Sequence, residues 1–157
     1  MNKGELLHEL HDVRGAWTQL LDGVPADART ATDIEWSLRE ALAELAWWER
    51  TVATVLVERA SPEAPEFWRL PEAEQRARVL KASEGLSLEA LVELFAAAHA
   101  DLVRAIEAVE LADWDGADWL RSLRGQWPPS RVVEVHVLER YRYHLEYLAR
   151  LHRLLVQ

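Results

Sequence analysis

The 157-residue sequence predicts an all-α protein, a four-helix bundle formed as a single domain by residues 1–157. Three observations indicate this fold class. Apolar residues recur at steps of three and four over four long stretches, as they do on one face of an α-helix. All six prolines and four of the six glycines lie between those stretches. Two of the connections are long, which is typical of a bundle with crossovers.

Each predicted helix has recognisable ends. We expect long helices over residues 3–22, 37–60, 88–109 and 130–155. Residues 66–84 are too charged and too interrupted for a main bundle helix, so we expect short helical pieces that cover one end of the core. Ser87 is the expected N-cap of the third helix, and the Pro-Pro-Ser sequence at 128–130 is a stop-and-cap signal before the fourth.

The second helix carries the most informative pattern. Ser37 is placed to cap it, Glu40 to complete a capping box, and Trp36 to form a hydrophobic staple just outside. Behind this start, Glu44 interrupts the apolar stripe of the helix. A buried carboxylate is costly unless another group pairs with it, so the sequence predicts a partner for Glu44.

The fourth helix shows the complementary irregularity. Its apolar stripe is interrupted by Arg140 and His144, which lie one turn apart on the same face. Because both groups can bind a carboxylate, we expect Glu44, Arg140 and His144 to meet between the second and fourth helices. By contrast, His99 lies at the border of the third helix's apolar face, and we expect it to be packed against its neighbours.

Composition excludes several classes of function. The chain has 27 acidic and 18 basic residues, a net charge of −9, so nucleic acid is not an expected partner. There is no cysteine, which excludes disulfides, thiolate metal sites and a cysteine nucleophile. We find no signal-like start and no apolar run long enough for a membrane span, so the expected location is cytoplasmic, without a membrane partner.

Four segments in order resemble the DinB-like superfamily, small four-helix bundles that include thiol transferases and the ClbS/DfsB group. They are Met-Asn-Lys-Gly-Glu-Leu-Leu at 1–7, Trp-Ser-Leu-Arg-Glu at 36–40, Leu-Ala-Trp-Trp-Glu at 45–49 and Tyr-Arg-Tyr-His-Leu-Glu at 141–146. The resemblance spans nearly the whole chain. It implies a homodimer and a site in which three histidines hold one divalent metal, often zinc, nickel or iron.

The sequence departs from that metal site at two of its three positions. The positions that match the three histidines are Glu44, Arg140 and His144. Arginine has no lone pair to give and stays charged, so it cannot be a ligand. His136 is no substitute, because it lies two turns from His144, about 12 Å along a helix axis. We therefore predict no metal ligands in this chain. An Arg140–Glu44 ion pair is expected in place of the metal, and the metal itself is suggested only by the resemblance.

Two classes of function follow from these residues. The first is a small-molecule-binding protein whose pocket is lined by Trp47, Trp48 and Trp127 together with the polar cluster; tryptophans near the end of a bundle can also simply seal it. The second is an enzyme, with His144 as general acid or base and Glu44 and Arg140 beside it. The resemblance implies that such an enzyme would be a hydrolase or a thiol transferase that acts on an electrophilic small molecule. Both a metal-independent and a metal-dependent reaction are open alternatives.

Overall fold

Every regular element in the described part of the chain is helical, which confirms the predicted all-α class. The computed structural model describes residues 1–23, 38–116, 119 and 127–155. In chain order the elements are α1 (Lys3–Asp22), α2 (Leu38–Glu58), a 3-10 turn (Phe67–Arg69), α3 (Glu72–Ala82), α4 (Leu88–Ala108), α5 (Pro129–Val133), a π-helical turn (Glu134–Leu138) and α6 (Glu139–Leu155).

The four predicted long helices correspond to α1, α2, α4 and the continuous segment from α5 to α6. The bounds of α1 are those predicted, whereas α2 ends at Glu58 and α4 at Ala108, slightly before the predicted ends. The predicted crossover at 66–84 contains the 3-10 turn and α3. The π-helical turn was not predicted, because its one-residue change of register leaves no clear mark on an apolar pattern.

The helix α2 is the centre of the bundle. It packs most extensively against α4 and also contacts α3, α5, α6 and the π turn, while α1 packs mainly against α6. Its residues Leu38, Leu42, Leu45 and Val52 are fully buried in the core. Because neighbouring elements contact α2 on several sides, a charged residue on one of its inward faces lies in the interior.

Two of the helix starts in the described residues have side-chain caps. Asn2 and Glu5 form a reciprocal capping box at α1, with N–H to oxygen distances of 2.8 and 2.9 Å. Ser87 caps α4 by accepting the Ala90 N–H at 3.1 Å, as predicted. The predicted box of Ser37 and Glu40, with Trp36 as its staple, involves positions 36 and 37, which lie outside the described residues.

The expected cap at the start of the last helix is wrong. The helix begins at Pro129, and Ser130 instead donates its hydroxyl to Asp115 Oδ1 at 2.7 Å. Proline suits the first helical position because its missing N–H would be unsatisfied there anyway. The Ser130 side chain therefore ties this helix to the connection that precedes it.

Two tryptophans of the second long connection contact the bundle. Trp114 is buried in the core and donates its indole N–H to the Met1 carbonyl at 3.2 Å. Trp119 is half-buried, with the Arg59 guanidinium 5.6 Å from its ring. Both positions fit a sealing role at the end of the bundle. Within the described ranges, no helix is both long and apolar enough to cross a bilayer.

Candidate functional site: a buried Glu44 cluster beneath a polar pocket

Glu44 meets both of its predicted partners. It lies on α2 and is 4 % exposed. One carboxylate oxygen accepts a hydrogen bond from Arg140 Nη1 at 2.8 Å, and the other oxygen lies 2.8 Å from His144 Nε2. Arg140 and His144 both come from α6, so two residues one turn apart hold the two oxygens of one carboxylate. We call Glu44, Arg140 and His144 the Glu44 cluster.

The guanidinium of Arg140 is held on two sides. Its central carbon lies 3.9 Å from the centroid of the Trp48 ring, so the cation stacks on an indole while Nη1 binds Glu44. Burial lowers the pKa of Arg140, and the charge of Glu44 opposes that effect. An arginine in this setting stays charged, because its unperturbed pKa is so high. The cluster is therefore an ion pair with a histidine beside it.

A polar pocket of about 290 Å³ opens above the cluster. Its walls come from α2, α3, the π turn and α6, and most of its lining side chains are ionisable. The lining residues are Glu44, Glu72, Arg76, Val135, Glu139, Arg140, Tyr143 and His144. At the rim, Tyr143 is 46 % exposed and packs edge-on against the His144 ring at 5.3 Å. Charged groups of both signs thus surround one small opening.

The three predicted substrate-binding tryptophans are not among the residues that line this pocket. Trp48 is buried and supports Arg140. Trp47 is half-buried against Phe67, with ring centroids 5.3 Å apart. Trp127 is half-buried and stacks on His136 at 5.2 Å. The structure therefore brings the three tryptophans near the Glu44 cluster as an aromatic wall, and direct contact with a ligand stays a prediction.

His136 lies inside this aromatic wall. Its ring stacks on Trp48 at 4.9 Å with an interplanar angle of 4°, and on Trp127 at 17°. The Trp68 ring meets it nearly edge-on at 5.3 Å. The π turn carries His136 into this sandwich, and its Nδ1 is buried with no hydrogen-bond partner in the described ranges. We call Trp48, His136 and Trp127 the aromatic sandwich.

The aromatic sandwich makes stability depend on pH. Burial, and then the charge of Arg140, lower the pKa of His136 from 6.5 to about 3. Between these two pH values the unfolded chain binds a proton at His136 and the folded chain does not. The contribution of His136 to the free energy of unfolding is therefore fully present above pH 6.5 and is lost progressively as the pH falls toward 3. The expected slope is about 1.4 kcal/mol per pH unit.

Urea unfolding between pH 7 and 5 checks this prediction. His136→Phe keeps a flat ring in the aromatic sandwich but cannot take up the proton, so its stability should fall less steeply than that of the parent. Other titrating groups are common to both chains and cancel in the difference. Equal slopes for the two chains would show that His136 is accessible to protons in the folded state.

A second buried carboxylate was missed by the sequence analysis. Glu49, on α2, is fully buried and accepts the Tyr141 hydroxyl at 2.6 Å. His99 Nδ1 lies 3.0 Å from the same oxygen, and Arg14 Nη1 lies 3.5 Å from the other. Arg14 also donates to Tyr141 at 2.9 Å. These residues come from α1, α2, α4 and α6, and we call them the Glu49 network. His99 is packed against its neighbours, as expected, although its partner is a carboxylate.

The described residues do not fit the three-histidine metal site that the resemblance implies. Arg140 stands at one ligand position and donates a hydrogen bond to Glu44, the residue at another. No three His, Cys, Asp or Glu side chains come together as a metal site anywhere in the described ranges. A guanidinium among the ligands would also repel a cation. The donor set therefore suits an ion pair better than a divalent metal.

A comparison with solved structures supports the fold, and no comparison identifies a family. No family model matches the chain, and no curated protein matches it significantly. A crystal structure of a Streptococcus pneumoniae protein, determined by the Northeast Structural Genomics Consortium, is similar with a TM-score of 0.80 and 12 % sequence identity. The similarity covers 100 % of this chain and 93 % of that one. At this identity the match shows a shared helical architecture.

Proposed function

We propose that the chain is a small-molecule-binding protein of the DinB-like type, in which the Glu44 cluster replaces a three-histidine metal site. The observation that carries the proposal is the ion pair of Glu44 and Arg140 at the floor of a pocket of about 290 Å³. Ligand pockets are typically a few hundred Å³ in volume, so this one suits a small molecule.

The lining of the pocket favours a polar ligand. Arg76 and Arg140 supply positive charge, and Glu72 and Glu139 supply negative charge. Such an arrangement binds a molecule that can donate and accept hydrogen bonds, whereas an apolar molecule would leave these groups desolvated without partners. The bound molecule would take the place of pocket water, above the Arg140–Glu44 pair.

The position of His144 favours binding over proton transfer. Nε2 is engaged by Glu44, and Nδ1 is buried. A general base has to reach the proton that it removes, directly or through one water. Because Nε2 already contacts Glu44 and Nδ1 is buried, we infer that the histidine supports the carboxylate rather than a substrate.

Thermal unfolding in the presence of a panel of compounds tests the proposal. The panel contains small amino acids, hydroxy acids, polyols and amines, together with zinc, nickel and ferrous ions. A molecule that binds only the folded state stabilises it by RT ln(1 + c/Kd), where c is its free concentration, so the unfolding temperature rises with the logarithm of its concentration once the site is saturated. We expect at least one organic compound to do so, and we expect no metal to bind stoichiometrically when metal content is measured by mass spectrometry.

Two surface variants locate the site. Tyr143→Ala removes a side chain from the pocket rim. It should lower the affinity for the compound found in the panel by about tenfold or more, which is the effect of losing a good ligand contact. Val57→Ala alters an exposed residue, 71 % accessible, on another face of α2 and should leave binding unchanged. One equivalent of metal that is lost in His144→Ala would overturn the proposal in favour of a metal-dependent enzyme.

A further inference from the structure

The aromatic sandwich has a feature that a packing role does not explain. A histidine ring fills the space between two nearly parallel indoles, at centroid distances of 4.9 and 5.2 Å. Aliphatic or aromatic side chains fill such a space without burying a polar atom. His136 instead buries Nδ1 with no hydrogen-bond partner in the described part of the chain, and a buried polar atom without a partner is unfavourable.

The charged group next to the aromatic sandwich is Arg140. Arg140 lies one turn after His136, and its guanidinium stacks on Trp48, the indole that also stacks on His136. Arg140 Nε is buried and, in the described ranges, likewise has no hydrogen-bond partner. Burial, and then the positive charge of Arg140, disfavour a proton on His136. A positively charged group is therefore unfavourable in the sandwich, whereas the buried Nε–H of Arg140 offers a hydrogen-bond donor to an acceptor such as a carboxylate.

The backbone at this point is unusual. The turn Glu134–Leu138 is π-helical, a conformation that is rare inside α-helices and is found frequently at functional sites. Val135, in the same turn, already lines the polar pocket together with Arg140. Arg140 lines that pocket and stacks on the same indole as His136, so Arg140 and Trp48 connect the aromatic sandwich with the pocket that we propose for ligand binding.

We propose that the aromatic sandwich is a ligand subsite, in which a flat aromatic ring carrying a carboxylate replaces the ring of His136 between Trp48 and Trp127. The inference rests on the proposed function and names its ligand class. The ring of the ligand stacks on the two indoles, and its carboxylate accepts a hydrogen bond from Arg140 Nε. His136 rotates out toward solvent, where Nδ1 regains a hydrogen-bond partner.

A histidine that occupies its own subsite lowers the apparent affinity, because only the fraction of molecules with the histidine withdrawn can bind. Removing the side chain should therefore tighten binding. This is the opposite of what a histidine that contacts the ligand would do. The sign of the effect separates a displaced side chain from a binding side chain.

Calorimetric titration with three probes tests the subsite. Indole-3-carboxylate is flat and anionic, indole-3-carboxamide is flat and neutral, and cyclohexanecarboxylate is anionic but not flat. We expect indole-3-carboxylate to bind His136→Ala about tenfold or more tighter than it binds the parent protein. The other two probes should bind His136→Ala clearly more weakly than indole-3-carboxylate does. His11→Ala, which removes an exposed histidine from α1, should behave as the parent.

Two further measurements complete the test. Trp127→Leu in the His136→Ala background should lower the affinity for indole-3-carboxylate by about tenfold or more, because one of the two stacking indoles is lost. In the parent protein, the His136 ring protons lie between two indoles and are shielded, so their NMR resonances should move downfield when the probe displaces the ring. This second readout decides the matter even if His136→Ala folds poorly.

The results that overturn the subsite differ from those that overturn the proposed function. Binding to His136→Ala no tighter than to the parent, or equal binding of all three probes, contradicts the subsite. If a panel compound still binds in a way that depends on Tyr143, the polar pocket stands without it. If no organic compound binds the parent or any variant, the proposed function fails as well.

Discussion

Arg140→Leu is expected to lower the free energy of unfolding by about 3–5 kcal/mol, the range observed when one partner of a buried ion pair is removed. The leucine would leave Glu44, which is 4 % exposed, with His144 as the remaining described partner for its charge. It would also remove the cation that stacks on Trp48. Urea denaturation at pH 7, followed by circular dichroism, measures the loss directly.

Two comparisons isolate the buried pair. Arg142→Leu removes a neighbouring arginine whose ion pair with Glu9 is exposed, so it should cost less than about 1 kcal/mol. The double variant Arg140→Leu, Glu44→Leu removes both charges and should recover much of the loss, because buried pairs are often replaceable by apolar side chains. If Arg140→Leu unfolds no earlier than the parent, the ion pair is not what the cluster depends on, and the replacement of a metal by this pair is wrong.

The Glu44 cluster was predictable because its members violate a simple rule. Each of the three interrupts an apolar stripe, and their charges are complementary, so one helix pair could satisfy all of them. Burial and the two distances of 2.8 Å agree with that reasoning. The orientation of Arg140 against Trp48 was not predictable, because it depends on how α2 and α6 are placed relative to each other.

The Glu49 network carried a similar signal that was overlooked. Glu49 interrupts the row of Leu38, Leu42, Leu45, Val52 and Leu56, all of them buried. Its partners were harder to find. Tyr141 counts as apolar in a periodicity argument, and Arg14 lies on the first helix, far from Glu49 in sequence. A carboxylate that binds groups from three other helices cannot be assigned partners before the packing is known.

The aromatic sandwich lay beyond sequence reasoning for a different reason. The position of His136 depends on a π turn, and a straight α-helix would aim the residue elsewhere. Trp127 lies on the connection before α5, and Trp68 belongs to a 3-10 turn, so neither belongs to a long periodic helix. Periodicity places residues on long helices, and it says little about which loop residues cover them.

Replacing Glu49 should destabilise the fold by about as much as replacing Arg140. Glu49→Leu leaves the Tyr141 hydroxyl, the Arg14 guanidinium and His99 without the carboxylate that they share. Burial, and next the charge of Glu49, raise the pKa of Tyr141 well above its usual range, so the tyrosine keeps its proton and needs an acceptor. We expect a loss of about 3–5 kcal/mol in urea denaturation at pH 7.

The exposed pair of Glu9 and Arg142 again supplies the control. Glu9→Leu removes a carboxylate that also joins α1 to α6 but is 41 % exposed, so it should cost less than about 1 kcal/mol. Glu49→Gln keeps the shape and one acceptor oxygen, and should fall between the two. If Glu49→Leu is as stable as Glu9→Leu, the Glu49 network contributes no more to stability than an exposed ion pair. If the expected order is found, α2 carries two buried carboxylates, of which Glu49 joins all four long helices and Glu44 forms the floor of the pocket.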